Sequence, residues 1–175
     1  SGAGKITGTA KLTKSGAGTL NLRTTNDYTG GTTITGGAID IGTTASAFGA
    51  NSSGVTIGNA AIRNGGVGVN QTLTVQTGTT ATLDYNGAAS TGAIAAWGGF
   101  AGDGNIEVIG VASGRLLDTG TTTSFTGSIS FLPSILPDTT QGTFKVRMSS
   151  GTGSFPNARV TLGPGATLTQ RATSS

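Results

Sequence analysis

The sequence predicts an all-β chain wound as a parallel β-helix, or β-solenoid, of about seven or eight coils with essentially no helix. Three observations carry this prediction. Apolar residues recur in pairs two positions apart along 175 residues, glycine-rich dipeptides separate those pairs, and parts of the first half return in the second.

Leu20 and Leu22 form the first pair, followed by Ile39 and Ile41, Val55 and Ile57, Val67 and Val69, and Leu73 and Val75. Ile106 and Val108, Ile129 and Phe131, Phe144 and Val146, and Val160 and Leu162 continue the series. A spacing of two puts both side chains on one face of a strand. The residues between are mostly Thr, Asn, Asp, Gln, Ser or Gly, and Thr, Val and Ile favour extended backbone through their branched Cβ. Gly30-Gly31, Gly36-Gly37, Gly65-Gly66 and Gly98-Gly99 read as turns between strands.

Internal repetition favours a solenoid over a sandwich or barrel. Sliding the chain by 97 residues sets Leu12 on Ile109, Leu20 on Leu117, Tyr28 on Phe125 and Gly30 on Gly127. The chain therefore reads as one domain, residues 1–175, made of two diverged copies of a longer unit, about 5–100 and 101–170. Roughly 20 to 25 residues per coil, stacked at ~4.8 Å, would give a short rod.

Composition excludes several chemistries. Gly, Thr and Ser make up 81 of 175 residues; there is no cysteine or histidine, and Glu107 is the only glutamate. Cys/His metal sites, disulfides, thiol nucleophiles and His-based triads are ruled out, and no cofactor is expected. Leu, Ile, Val and Phe number 36, and the net charge is only +3, so the chain can fold around a thin core. Ten basic residues against seven acidic ones do not make a nucleic-acid footprint. No apolar run is long enough to span a membrane as a helix. Many Thr and Gly with few Lys and Glu fit a secreted, extracellular β-protein.

The stretch from Leu12 to Gly42 carries a recognisable pattern. Leu12, Lys14, Gly16, Gly18, Thr19, Leu20 and Leu22 are followed by Asn26, Tyr28, Gly30, Gly31, Thr32 and Ile34. This resembles the autotransporter-associated β-strand repeat, also called the passenger-associated transport repeat. The resemblance implies a right-handed parallel β-helix exported to a bacterial surface, where such repeats help passenger secretion and folding. Val160–Gly163 and Gly165–Leu168 look like the solenoid around such repeats. The second copy departs from the pattern: Arg115 stands for a glycine, and Pro133 and Pro137 interrupt its end, so a looser coil is expected there.

Candidate chemistry is sparse. The carboxylates are Asp27, Asp40, Asp84, Asp103, Glu107, Asp118 and Asp138. β-Helical polysaccharide-cleaving enzymes cluster such groups, and Asp27 stacked near Asp84 or Asp118 would be such a cluster. Yet Asp27, Asp103 and Asp138 adjoin Asn, Gly or Pro, where Asp forms turns. Residues 98–105 bear one calcium-repeat-like run without the recurring Asp that builds a coordination ladder. Gly16-Ala17-Gly18 opens like a phosphate loop, but no helix follows.

Among the aromatics, Tyr28 and Phe125 read as packing at coil corners. Trp97 and Tyr85 are the candidates for contact with a surface glycan or other partner, Trp97 in a protruding loop ahead of Gly98-Gly99. No helical cap is apparent, so self-association head to tail, or stacking on neighbouring coils of a longer chain, is expected. The function this predicts is a non-enzymatic structural or adhesive solenoid, with a glycan-binding module and a polysaccharide-degrading enzyme as alternatives.

Overall fold

A computed structural model describes residues 4–85, 94–110, 116–118, 121–132, 144–148, 158–164 and 166–170. Two parallel sheets face each other across a thin apolar interior. The first is built on β1 (Leu12–Lys14), β3 (Thr32–Ile34), β5 (Val55–Ile57), β7 (Val69–Val75), β9 (Ile94–Gly102), β11 (Leu116–Asp118), β14 (Phe144–Met148) and β16 (Ala166–Gln170), in that spatial order. Beside β11, β12 (Thr121–Phe125) also pairs with β9. The second runs through β2 (Thr19–Asn21), β4 (Ala38–Gly42), β6 (Ala60–Asn64), β8 (Thr80–Asp84), β10 (Asn105–Ile109), β13 (Ser128–Phe131) and β15 (Arg159–Leu162). Every strand of one sheet stacks on the strand one winding earlier, which is the β-solenoid that the sequence predicts. No helix occurs among the described residues, so none there is long and apolar enough to cross a membrane.

The period-two alternation becomes columns once the coils stack. In the second sheet Leu20, Ile39, Ile62, Leu83, Val108, Phe131 and Leu162 lie in register. Ile39 through Phe131 are buried, Leu20 is partly buried, and Leu162 is 40% exposed. In the first sheet Ile34, Ile57 and Val75 form a second buried column that ends on Gly102 and Phe125. Thr13, Thr33, Thr56 and Thr74 lie between the inward positions and face outward.

Coil length varies while register is kept. Leu12, Thr32, Val55 and Leu73 advance by 20, 23 and 18 residues. The surplus goes into corners rather than strands. Of the seven or eight expected coils, four, β1 through β8, are complete in the unbroken stretch 4–85. The strands β9–β16 extend the same two sheets, with connections that fall partly outside the described residues. Arg115, Pro133, Pro137 and Asp138, and with them the expected looser coil, also lie outside.

One glycine pair departs from the expected turns. Gly98-Gly99 is not a turn but the middle of β9. A Cβ on Gly98 would collide with the carbonyl oxygen of Asn70, so glycine is needed there for close approach between coils. Burial alternates without a break along β7, but its pairing with β9 shifts register at the same place, between Val69 and Thr72.

The columns give a direct test. Leu83→Ala removes a fully enclosed side chain and should cost about 2–5 kcal/mol by chemical denaturation. Thr56→Ala, on the outer face, should stay within about 0.5 kcal/mol.

Candidate functional site

The residues with the most distinctive chemistry in the sequence serve the joints between coils. Lys14 is in register with the inward-facing Ile34, yet its amine turns out to the corner. Its Nζ donates to the carbonyls of Ser15 and Gly16 at 2.8 Å and of Gly36 at 3.0 Å, one coil away. The Gly16-Ala17-Gly18 run is therefore a lysine-clamped turn between β1 and β2. Gly37, at φ +67°, packs directly over that turn, and a Cβ there would strike the Gly18 and Gly16 carbonyls.

Asn26 is a buried bracket at the next corner. Its Oδ1 accepts from the Ile6 amide at 2.8 Å, and its Nδ2 donates to the carbonyls of Thr24 at 2.9 Å and Ala47 at 2.7 Å. It thereby ties three successive windings through one side chain. Tyr28 is wholly enclosed and its hydroxyl bonds to the Thr32 hydroxyl. Burial raises the Tyr28 pKa, only partly offset by that bond, so the phenol stays protonated.

The aromatic candidates are inside. Trp97 is 2% exposed and Tyr85 1%. The expected protruding loop is instead strand β9, and the indole Nε1 donates to the Tyr85 hydroxyl at 3.2 Å. Phe48, Trp97, Phe100 and Phe125 stack in an interior row with centroids 6.2 to 6.3 Å apart. An enclosed ring offers no face to a sugar, so neither residue is a surface contact in this fold. The alternation signal could not reveal this, because the glycines after Trp97 resemble a turn and are in fact close-packed strand.

The described carboxylates are dispersed, and four have a partner in the fold. Asp27 pairs with Lys5 at 2.6 Å, Asp40 with Arg23 at 2.6 Å, and Asp84 with Arg63 at 3.6 Å. Asp103, in the turn between β9 and β10, accepts from the Thr77 hydroxyl at 2.7 Å. Glu107 sits in register with Thr82 and Ser130 on the second sheet. Asp27 precedes β3 while Asp84 ends β8, so these two are not brought together. Asp118 is placed only by register, against Ala96 and Arg147. No group of three potential metal ligands occurs among the described residues.

Sequence reasoning did not find the column Asp40, Arg63 and Asp84, which is in register on the outside of the second sheet. Its members are 23 and 21 residues apart, and unequal steps hide such a column until the corners are known. Hydrogen bonding by Arg23 holds the Asp40 carboxyl below its usual range, with the Gly42 amide helping against partial burial. Lys5 and Thr7 lower Asp27 in the same way.

Two outcomes follow. Trp97→Ala should destabilise by about 3–5 kcal/mol, and native Trp97 fluorescence should be blue-shifted and resist aqueous quenchers. Because both Asp27 and Asp40 have folded pKa values below the unfolded value of about 3.9, their stabilisation is present above about pH 4 and lost as pH falls through the folded values. Thermal melts of Asp40→Asn should show a lower midpoint than the parent at pH 7, and the two should converge as pH falls below the folded value of the Asp40 carboxyl.

Comparison with known proteins fits this arrangement. Residues 12–41 match the passenger-associated transport repeat. Over 149 residues, 77% of this chain, the sequence is 32% identical to the adhesin BmaC autotransporter of Brucella suis biovar 1 (strain 1330). The chain spans about 4% of the length of that curated relative. No solved structure gives a significant match. Lys14, Asn26, Tyr28 and the paired glycines are thus the clamps and corners of a recognised repeat, and the chain is a β-solenoid protein carrying a passenger-associated transport repeat at residues 12–41.

Proposed function

We propose that this chain is a stretch of an extracellular, adhesive solenoid displayed on a bacterial surface, acting as structure rather than as an enzyme. The observation that carries this is the unbroken interior column from Leu20 to Leu162. Its two ends are only partly covered, and at each the backbone edge is parallel strand. A further coil added there continues both the hydrogen bonds and the apolar column, whether it comes from neighbouring coils of a longer chain or from another copy stacked head to tail. The similarity to an autotransporter adhesin supports export and an adhesive role. The described acids that bridge coils support a non-enzymatic reading, and the enclosed aromatics give the glycan-binding alternative no ring platform.

Two experiments test this. Antibody raised to the chain should label intact bacteria, and labelling only after permeabilisation would overturn the surface assignment. Negative-stain microscopy with light scattering should show filaments of uniform width if copies stack end to end. A monodisperse short rod would remove self-stacking and leave the coils of a longer chain as the partners.

A further inference from the structure

We infer that Asn64-Gly65 is a self-modification site, closed in the folded chain and open in the unfolded one, which limits how long the chain can stay unfolded and still wind. An asparagine followed by a glycine can react internally, because glycine has no side chain to obstruct the approach. The Gly65 amide nitrogen gives up its proton and bonds to the Asn64 side-chain carbonyl carbon. The bond from that carbon to Nδ2 breaks, and ammonia leaves. Water then opens the ring at one of its two carbonyls, giving aspartate or isoaspartate. In isoaspartate the main chain runs through the side-chain carbon. Water is the only co-reactant. The sequence holds two Asn-Gly pairs, 64–65 and 86–87, and the second lies outside the described residues.

The fold demands both residues of the pair. Only residues 65–68 join β6 to β7, whereas 43–54 join β4 to β5. Gly65 packs on the coil one winding earlier, where a Cβ would come within 2.7 Å of the Gly42 carbonyl oxygen. Asn64 is 3% exposed and braces the corner from inside. Its Oδ1 accepts from the Gly66 amide at 2.8 Å and the Val67 amide at 2.9 Å, and its Nδ2 donates to the Val67 carbonyl at 3.0 Å. The same bonds hold the reaction off. The Gly65 amide donates to the Gly42 carbonyl at 2.7 Å, and the ring form has no hydrogen there. Ring closure also removes Nδ2, so the Gly42 and Val67 carbonyls both lose a donor inside the packed corner. The two amides on Oδ1 would favour an oxyanion at that atom, but it forms only after the Gly65–Gly42 bond is given up. Once the corner opens, this protection ends. Aspartate would then set a carboxylate oxygen against the Val67 carbonyl, and isoaspartate would lengthen a corner that has no spare residue. Chemical modification of an opened chain makes unfolding irreversible.

Peptide mass mapping of the whole chain, aged in heavy-oxygen water at mildly alkaline pH, tests this site by site. Conversion at Asn64 should be on the order of 100-fold slower in the folded chain than in urea, because it then follows the small open population. A sample aged in urea to partial conversion is next returned to buffer, and its folded and unfolded fractions are separated and mapped. Converted Asn64 should be depleted from the folded fraction, with conversion at Asn86 scored separately in the same digest. The Asn64→Asp variant, which carries the aspartate product, should fail to fold or should melt roughly 5 °C or more below the parent. Conversion in the folded chain within about tenfold of the urea rate would overturn the closed site. Equal amounts of converted Asn64 in both fractions, or an Asn64→Asp chain that melts with the parent, would overturn the time limit.

Discussion

Parallel register between successive coils is the constraint on which the rest depends. Side chains alternate with a period of two, so a one-residue slip between neighbouring coils would turn a buried aliphatic column outward. Ile39, Ile62, Leu83 and Val108 stay enclosed only because each lies on the equivalent residue one winding earlier. The interior is thin and has no second layer to absorb an error. Stability is therefore shared among near-identical neighbour contacts, and the strands themselves can be as short as three residues.

With strands so short, the corners must hold register. Lys14 clamps three carbonyls from two coils, and Asn26 fixes amide and carbonyl groups of three windings. Both are polar side chains used where backbone groups would otherwise lack partners. The ion pairs Lys5–Asp27, Arg23–Asp40 and Arg63–Asp84 also each join one coil to another. Being exposed, they contribute little energy individually, but charges of alternating sign disfavour a slipped register. In this repeat the characteristic polar residues serve winding rather than chemistry.

How much of this was legible in the sequence follows from the same geometry. Pairs such as Ile39/Ile41, Val55/Ile57 and Ile106/Val108 announced their strands because both inward residues are large aliphatics. The strands β6 and β8 were missed because Ala60 and Ala81 supply one inward position each, and alanine carries little pattern. β9 was hidden by Gly98-Gly99, since a glycine needed for close approach looks the same as one needed for a turn. Trp97 reads as a surface candidate because Gly98-Gly99 resembles a turn, whereas its indole donates to the Tyr85 phenol inside the fold. The charged column was invisible for a different reason. Its register depends on corner lengths, and no local pattern encodes those.

The two sheets present different exteriors over a common kind of interior. Outward positions of the first sheet carry Thr13, Thr33, Thr56 and Thr74, uncharged and branched at Cβ. Those of the second carry Asp40, Arg63 and Asp84. Folding alone does not demand this difference, since either set satisfies the alternation. Once the interior columns fix register, however, any residue placed outward is repeated or alternated at the coil spacing.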